Sequence, residues 1–102
     1  MTNEIRVVIA DDHKLMLDSL AQALDSVPDI RVVETVTDGA DLATAVARTS
    51  PDVLLVDVEM PGQSGLSAIS RIDDLPATLI VTMHTAEEYG ATAREAGARG
   101  FL

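Results

Sequence analysis

The chain has 102 residues, with 17 Asp and Glu against 7 Lys and Arg, and a formal net charge of −10. That length allows one domain and leaves no room for a second. A polyanion-binding surface normally carries a basic face, and the only aromatic residues, Tyr89 and Phe101, are too few for a platform that stacks single-stranded nucleic acid. We therefore expect this segment not to bind nucleic acid.

Two further classes are excluded by composition. The chain has no Cys, so it can form no disulfide framework, thiolate zinc site or cysteine nucleophile. No stretch approaches the ~18 uninterrupted apolar residues of a membrane span, and the N-terminus does not have the pattern of a signal peptide. We expect a cytoplasmic protein that makes no membrane contact.

Short, β-branched apolar runs alternate with helical apolar stripes along the chain. The predicted strands cover residues 5–10, 30–36, 52–58, 78–83 and 99–102, and the predicted helices cover residues 13–27, 41–48, 66–72 and 86–96. This alternation predicts βαβ units, and therefore an α/β fold with a parallel sheet covered by helices on both faces.

Polar side chains follow three of the predicted strands. Asp11 and Asp12 follow the first strand, Asp57 ends the third, and Thr82 ends the fourth. Because open parallel sheets place their sites beyond the carboxyl ends of the strands, we expect these groups to converge on one rim. Three neighbouring carboxylates repel one another, and Mg²⁺, which prefers carboxylates, water and phosphate oxygens, would relieve that repulsion.

Asp57 ends the most apolar strand, which makes it the least solvated carboxylate and the best candidate nucleophile for an aspartyl-phosphate intermediate. Simpler interpretations remain open for its neighbours. Asp11 and Asp12 can serve as the N-cap of the first helix, and Thr82 can be an ordinary strand residue. Phe101 is by default a core residue, and His13 is expected at the surface or rim.

These residues together resemble the receiver domain of bacterial response regulators. The resemblance is carried by five features in register: the Asp11-Asp12 pair, Asp57, the 60–65 loop (MPGQSG), Thr82 and the 97–102 run (GARGFL). It covers essentially the whole chain. It implies a flavodoxin-like, doubly wound five-stranded sheet in the order 2-1-3-4-5, with residues 1–102 forming one receiver domain that stops before the family's last helix.

The resemblance also implies a role for each site residue. Asp57 would accept a phosphoryl group from a sensor histidine kinase. Asp11, Asp12, Asp57 and the backbone carbonyl of Glu59 would hold Mg²⁺, with Asp11 acting through water. Thr82 would hydrogen-bond the phosphoryl group, and Phe101 would be the aromatic residue that changes position in the switch.

Residues 10–17 (ADDHKLML) and the 97–102 run are most similar to the subfamily with a LuxR-type DNA-binding output, although Leu17 stands where that subfamily often has Arg. A second departure concerns the lysine that pairs with the phosphoryl group in this family. Lys14 is the only lysine, and it lies far from that position in chain order. We therefore expect phosphorylation to be impaired if the chain ends at Leu102.

Two alternatives to the receiver are compatible with these residues. One is a haloacid-dehalogenase-type phosphohydrolase, whose paired acids resemble Asp57 and Glu59, although those enzymes place the nucleophile after the first strand. The other is a degenerate receiver that acts only as an interaction module. For the receiver we expect no enzyme activity beyond its own phosphoryl transfer, a homodimer or higher association, and DNA binding only through a separate C-terminal domain.

Overall fold

The fold is taken from a computed structural model that describes residues 4–58, 60 and 65–81, and the backbone of residues 100–101. Strands and helices alternate as the sequence predicts, and the predicted helix over residues 86–96 lies outside the described residues. The strands are β1 (Ile5–Ala10), β2 (Ile30–Val36), β3 (Val53–Asp57), β4 (Ala77–Val81) and β5 (Gly100–Phe101), and the helices are α1 (Lys14–Asp25), α2 (Leu42–Thr49) and α3 (Gly65–Ser70).

The five strands form one sheet in the order β2-β1-β3-β4-β5, and every neighbouring pair is parallel. This confirms the predicted doubly wound, flavodoxin-like sheet. The chain adds strands in one direction from β1 to β2 and in the other direction from β3 to β5. Because β1 and β3 are parallel neighbours, their carboxyl ends lie side by side at this reversal. Open sheets of this kind bind their ligands at that switch point.

Both central strands are buried on their two faces, which explains their nearly continuous apolar sequences. Val8, Leu54 and Val56 pack on the side covered by α2 and α3. Ile9 and Leu55 pack on the opposite side, which α1 covers. Each such aliphatic side chain contributes about 1.5–3 kcal/mol through burial, so the ends of β1 and β3 are held in a rigid core.

Helix α1 buries the apolar stripe that the sequence predicts. Leu17 is buried, and Leu20, Ala21 and Leu24 pack half-buried beside it. The helix ends at Asp25, two residues before the predicted end, and the Asp25 carboxylate accepts a hydrogen bond of 2.7 Å from the backbone N–H of Val32. None of the helices in the described part of the chain has the length and apolar content needed to cross a membrane.

Helix α2 begins one residue after its predicted start because a 3₁₀ turn at Gly39–Asp41 precedes it. The Asp38 carboxylate accepts the backbone N–H of Ala40 and stabilises that turn. The helix ends at Thr49. The next residue, Ser50, has a φ of 48° in the left-handed region, which stops the helix before Pro51.

The edge strand β2 contains a β-bulge. Val7 pairs with Val32 and Val8 pairs with Glu34, so Val33 has no partner in β1. Val32 packs with the α1 side of the core, whereas Val33 and Val36 both pack with the α2 side. The extra residue thus changes the alternation of side chains partway along the strand.

Candidate functional site

The sheet brings Asp11 and Asp57 next to each other. Ala10 pairs with Val56 across the β1–β3 boundary, and the following residue on each strand is an aspartate. The backbone N–H of Asp11 donates to the carbonyl oxygen of Val36 at 3.0 Å, which fixes the turn out of β1. The side chains of Asp11 and Asp57 are only 5% and 11% exposed, so two carboxylates share a nearly buried position.

Asp12 and His13 complete this group at its solvent side. Their side chains are 33% and 68% exposed. Oxygen or nitrogen atoms from Asp11, Asp12, His13 and Asp57 all lie within 4.8 Å of one another. We call these four residues the acidic site.

His13 is held in the acidic site by the start of α1. It occupies the N-cap position with an extended backbone, and its N–H donates to Asp11 Oδ1 at 2.9 Å. Its ring Nδ1 lies 3.3 Å from the same Asp11 oxygen, 3.0 Å from Asp12 Oδ1 and 3.9 Å from Asp57 Oδ2. The hydrogen bond with Asp11 raises the pKa of His13, and the negative charges of Asp12, Asp11 and Asp57 raise it further.

The donor chemistry of the acidic site fits a divalent cation. Three carboxylates and one imidazole converge within the span of a single coordination sphere. Mg²⁺ is commonly held by one or two carboxylates together with waters and phosphate oxygens, and the partly exposed Asp12 leaves a path to solvent for such ligands. Asp11, Asp12 and Asp57 are therefore the residues that would hold Mg²⁺ here.

Gly65, the first residue of α3, lies against the backbone of Asp57. A Cβ atom at this position would stand 2.0 Å from the Asp57 carbonyl oxygen and 2.6 Å from Val56 Cγ1. The Gly65 N–H donates to the carbonyl oxygen of Val58 at 2.9 Å. Only glycine permits this approach, so α3 supports the backbone that carries Asp57.

The predicted site residues fall into three groups according to how much of each the structure describes. Asp11, Asp12 and Asp57 lie together, as the sequence predicts. Thr82 and Glu59 lie outside the described residues, although Val81, which precedes Thr82, pairs with Asp57 across the sheet. The backbone of Phe101 forms part of β5 beside Ile80, and its side chain lies outside the described part of the structure.

From its sequence position alone His13 is expected only at the surface or rim, and the structure places its ring in the acidic site. The missing signal was positional. His13 follows directly on Asp11 and Asp12 in the chain, and its backbone N–H donates to Asp11 Oδ1, which keeps its ring beside both carboxylates.

A polar cleft of about 470 Å³ lies between β2 and α2. It is lined by Glu34, Thr35, Val36, Thr37, Asp41, Thr44 and Arg48, none of which belongs to the acidic site.

Comparison with known proteins identifies the family. The family model described as "Response regulator receiver domain" matches residues 7–102. Among curated relatives, the oxygen regulatory protein NreC of Staphylococcus carnosus is 39% identical, and the match covers 96% of this chain and 47% of that protein. NreC of Staphylococcus aureus strain JH9 is 41% identical over the same shares. The chain thus spans about half the length of these relatives.

Solved structures agree with that result. The receiver domain of the putative response regulator NarL from Mycobacterium tuberculosis is 32% identical with a TM-score of 0.91, and the match covers 98% of this chain and 83% of that one. A LuxR-family response regulator from Aurantimonas sp. SI85-9A1 is 29% identical with a TM-score of 0.90, over 96% and 72% of the two chains. The phosphohydrolase alternative is thereby set aside, and the chain belongs to the response regulator receiver domains, on the side of the family that includes NarL and the LuxR-type regulators.

Proposed function

We propose that Asp57 is the phosphoacceptor of a two-component system and that a sensor histidine kinase is its phosphoryl donor. The observation that supports this most strongly is the position of Asp57, which ends the buried strand β3 with its carboxylate only 11% exposed and next to those of Asp11 and Asp12. A poorly solvated carboxylate is a better nucleophile than a fully hydrated one. Receiver domains are signalling domains, and we assign this chain no enzyme activity beyond its own phosphorylation.

In the proposed reaction an Asp57 carboxylate oxygen attacks the phosphorus of the kinase phosphohistidine. The new P–O bond makes an acyl phosphate, the P–N bond breaks, and the histidine nitrogen leaves with the electron pair and takes up a proton. Mg²⁺, when bound, neutralises charge on the phosphoryl oxygens. Asp11, Asp12 and Asp57 would hold it, together with, by resemblance, the backbone carbonyl of Glu59.

The proposed switch lies on the β4–β5 side of Asp57. Thr82 follows directly on Val81, the β4 partner of Asp57, and by resemblance it is the residue that would donate to a phosphoryl oxygen. Phe101 is the aromatic residue whose position would report that movement. The added phosphoryl group carries about −1.5 to −2 charges, enough to reorganise a neighbouring surface.

The output of the whole protein is also part of this proposal. The NreC relatives are about twice as long as the part matched here. The LuxR-type resemblance points to a separate DNA-binding domain in a cytoplasmic protein. We expect the phosphorylated protein to regulate transcription and the chain to form a homodimer or higher association. Light scattering at high concentration tests the association, and a monomer would contradict it.

Acetyl phosphate with Mg²⁺ tests the phosphoacceptor. We expect intact-mass spectrometry to show one added phosphoryl group that decays slowly, and peptide mapping to place it on Asp57. Asp57→Asn should abolish the label, whereas the matched control Asp18→Asn, on the exposed face of α1, should retain it. A label on another residue would refute the assignment. If a chain extended beyond Leu102 showed neither the label nor a thermal shift with Mg²⁺ and beryllofluoride, the domain would instead be a degenerate interaction module.

A further inference from the structure

We propose that two copies of this chain associate through the edge of β2, around the polar cleft between β2 and α2. The cleft is then occupied by the same surface of a second copy, related to the first by a twofold axis perpendicular to the sheet. This inference rests on the association proposed above and names the surface that forms it. The surface contains none of the four residues of the acidic site.

The edge of β2 is protected over its first half. The N–H of Ile30 donates to the carbonyl oxygen of Val27 at 3.1 Å, and the N–H of Val32 donates to the Asp25 carboxylate at 2.7 Å. Neither N–H is therefore available to another strand. Covering an edge in this way is one of the means by which proteins prevent edge-to-edge association.

The edge is open after the bulge at Val33. The carbonyl oxygen of Val36 accepts a hydrogen bond from the N–H of Asp11, which follows β1, so the backbone groups of Val36 face β1. Adjacent residues of a strand direct their backbone groups to opposite sides, and Thr35 therefore presents its N–H and C=O away from the sheet. Thr35 is exposed, and no group in the described part of the chain bonds to these two atoms. Its donor and acceptor can pair with Thr35 of a second copy, as an antiparallel pair that exchanges two hydrogen bonds.

The outer face of α2 is complementary to itself under the same axis. Asp41, Thr44 and Arg48 line the cleft and follow one side of the helix. With a rise of about 1.5 Å per residue, Asp41 lies about 4.5 Å before Thr44 and Arg48 about 6 Å after it. A twofold axis that pairs the β2 strands places the two α2 helices antiparallel on one face of the sheet. With the two Thr44 residues opposite each other, Asp41 of each copy faces Arg48 of the other.

Both charged groups have capacity for this contact. Asp41 is exposed and forms no ion pair in the part of the chain that the structure describes. The Arg48 side chain is 59% exposed and donates to Glu34 through Nε and one terminal nitrogen, which leaves its other terminal nitrogen for a second carboxylate. One strand edge and one helix face form a small interface, and interfaces below about 1,200 Å² are typical of weak complexes. We therefore expect dimers at high protein concentration.

Exchanging charges across the proposed axis tests the inference. In Asp41→Arg the α2 face of both copies is positive, and in Arg48→Asp it is negative. We expect sedimentation equilibrium to give each variant alone a dimer Kd about tenfold higher, because two ion pairs become two repulsive contacts. An equimolar mixture of the two variants should recover the original affinity, since every contact is again between opposite charges. Asp18→Arg, the same charge change on α1, is the matched control and should leave the Kd unchanged.

Two further variants locate the axis. The chain has no cysteine, so a single Thr44→Cys can form a disulfide only between copies, and it should do so faster than Asp18→Cys at equal concentration. Thr35→Pro removes the outward N–H, a change that edge strands tolerate, and should weaken association, whereas Thr35→Val keeps the N–H and should not. A mixture that associates no more tightly than either charge variant alone would overturn the inference. Equal cross-linking of the two cysteine variants would also overturn it.

The same samples separate this inference from the association itself. If the chain dimerises and none of these variants changes the Kd, the β2 surface is wrong and the association stands through another face. If the chain stays monomeric at high concentration, both fail. Labelling of Asp57 is measured independently, so the phosphoacceptor stands or falls on its own result.

Discussion

Replacing Gly65 by Ala tests whether α3 sets the position of Asp57. The added Cβ would meet the Asp57 carbonyl oxygen at 2.0 Å and Val56 Cγ1 at 2.6 Å, far inside van der Waals contact. Val56 is fully buried in the core and the carbonyl belongs to the sheet, so neither atom can yield easily. Relief to more than 3 Å requires a shift of roughly 1 Å between α3 and the end of β3.

That shift has two measurable costs. Forcing an extra methyl group into a packed position typically costs about 1–3 kcal/mol of unfolding free energy. For a domain of this size, each kcal/mol lowers the melting temperature by roughly 4–8 °C. Because a displacement of 1 Å can slow a positioned reaction about 10²-fold, we also expect acetyl phosphate to label Asp57 on the order of 100 times more slowly.

Urea unfolding and the rate of labelling, measured on the same preparation, check both costs. Ser70→Ala is the matched control because Ser70 is exposed on the same helix, and its replacement should change the unfolding free energy by no more than about 0.5 kcal/mol. A Gly65→Ala chain with unchanged stability and an unchanged rate of labelling would refute the reasoning. Loss of stability with an unchanged rate would show that Asp57 is positioned by β3 alone.

Three further predictions concern charged groups. Mg²⁺ at 100 times its Kd should add about 2.7 kcal/mol to the unfolding free energy, and Asp11→Asn should remove most of the resulting thermal shift. The pKa of His13, followed by NMR of its ring in the metal-free chain, should lie above its ordinary value of 6.5 and fall in Asp11→Asn. Since folding raises this pKa, the stabilisation is complete below the unfolded value and is lost as pH rises through the folded value. Arg48→Ala, which breaks the exposed ion pair with Glu34, should cost at most about 1 kcal/mol in urea unfolding.

Each of these three predictions has a result that would contradict it. A full Mg²⁺ shift in Asp11→Asn would exclude Asp11 from the cation site, and Asp18→Asn serves as the control with an intact shift. A His13 pKa at or below the ordinary value would show that the ring points away from the carboxylates in solution. A loss of several kcal/mol in Arg48→Ala would mean that the Arg48 side chain contributes packing as well as charge.

The order and type of the described elements were predictable because the core imposes them on the sequence. β1 and β2 have the bounds that their β-branched runs predict, since both ends of each run are marked by polar or turn residues. The helix ends were less predictable. The end of α2 depends on Ser50 adopting a positive φ, which residue type alone does not indicate.

The carboxylates of the site were predictable for a different reason. Asp11, Asp12 and Asp57 follow strands, and a parallel sheet aligns its strand ends regardless of the details of packing. The place of His13 depends instead on the hydrogen bonds of its backbone N–H and its ring to Asp11, and on the rotamer of that exposed ring. Such contacts leave no periodic pattern in the sequence, so only the three-dimensional structure shows them.

The bulge at Val33 has a consequence for how this chain tolerates insertion and deletion. In a regular strand, residues three apart point to opposite faces, yet Val33 and Val36 share the α2 side. Removing Val33 would leave a regular strand in which Val32, Glu34 and Val36 keep the faces they have now. The strand can therefore lose one residue, and with it one half-buried valine side chain, while its other side chains stay on their present faces of the sheet. Natural length variation in relatives would concentrate at this point of the edge strand, while β1 and β3, which carry the aspartates, would keep a constant length.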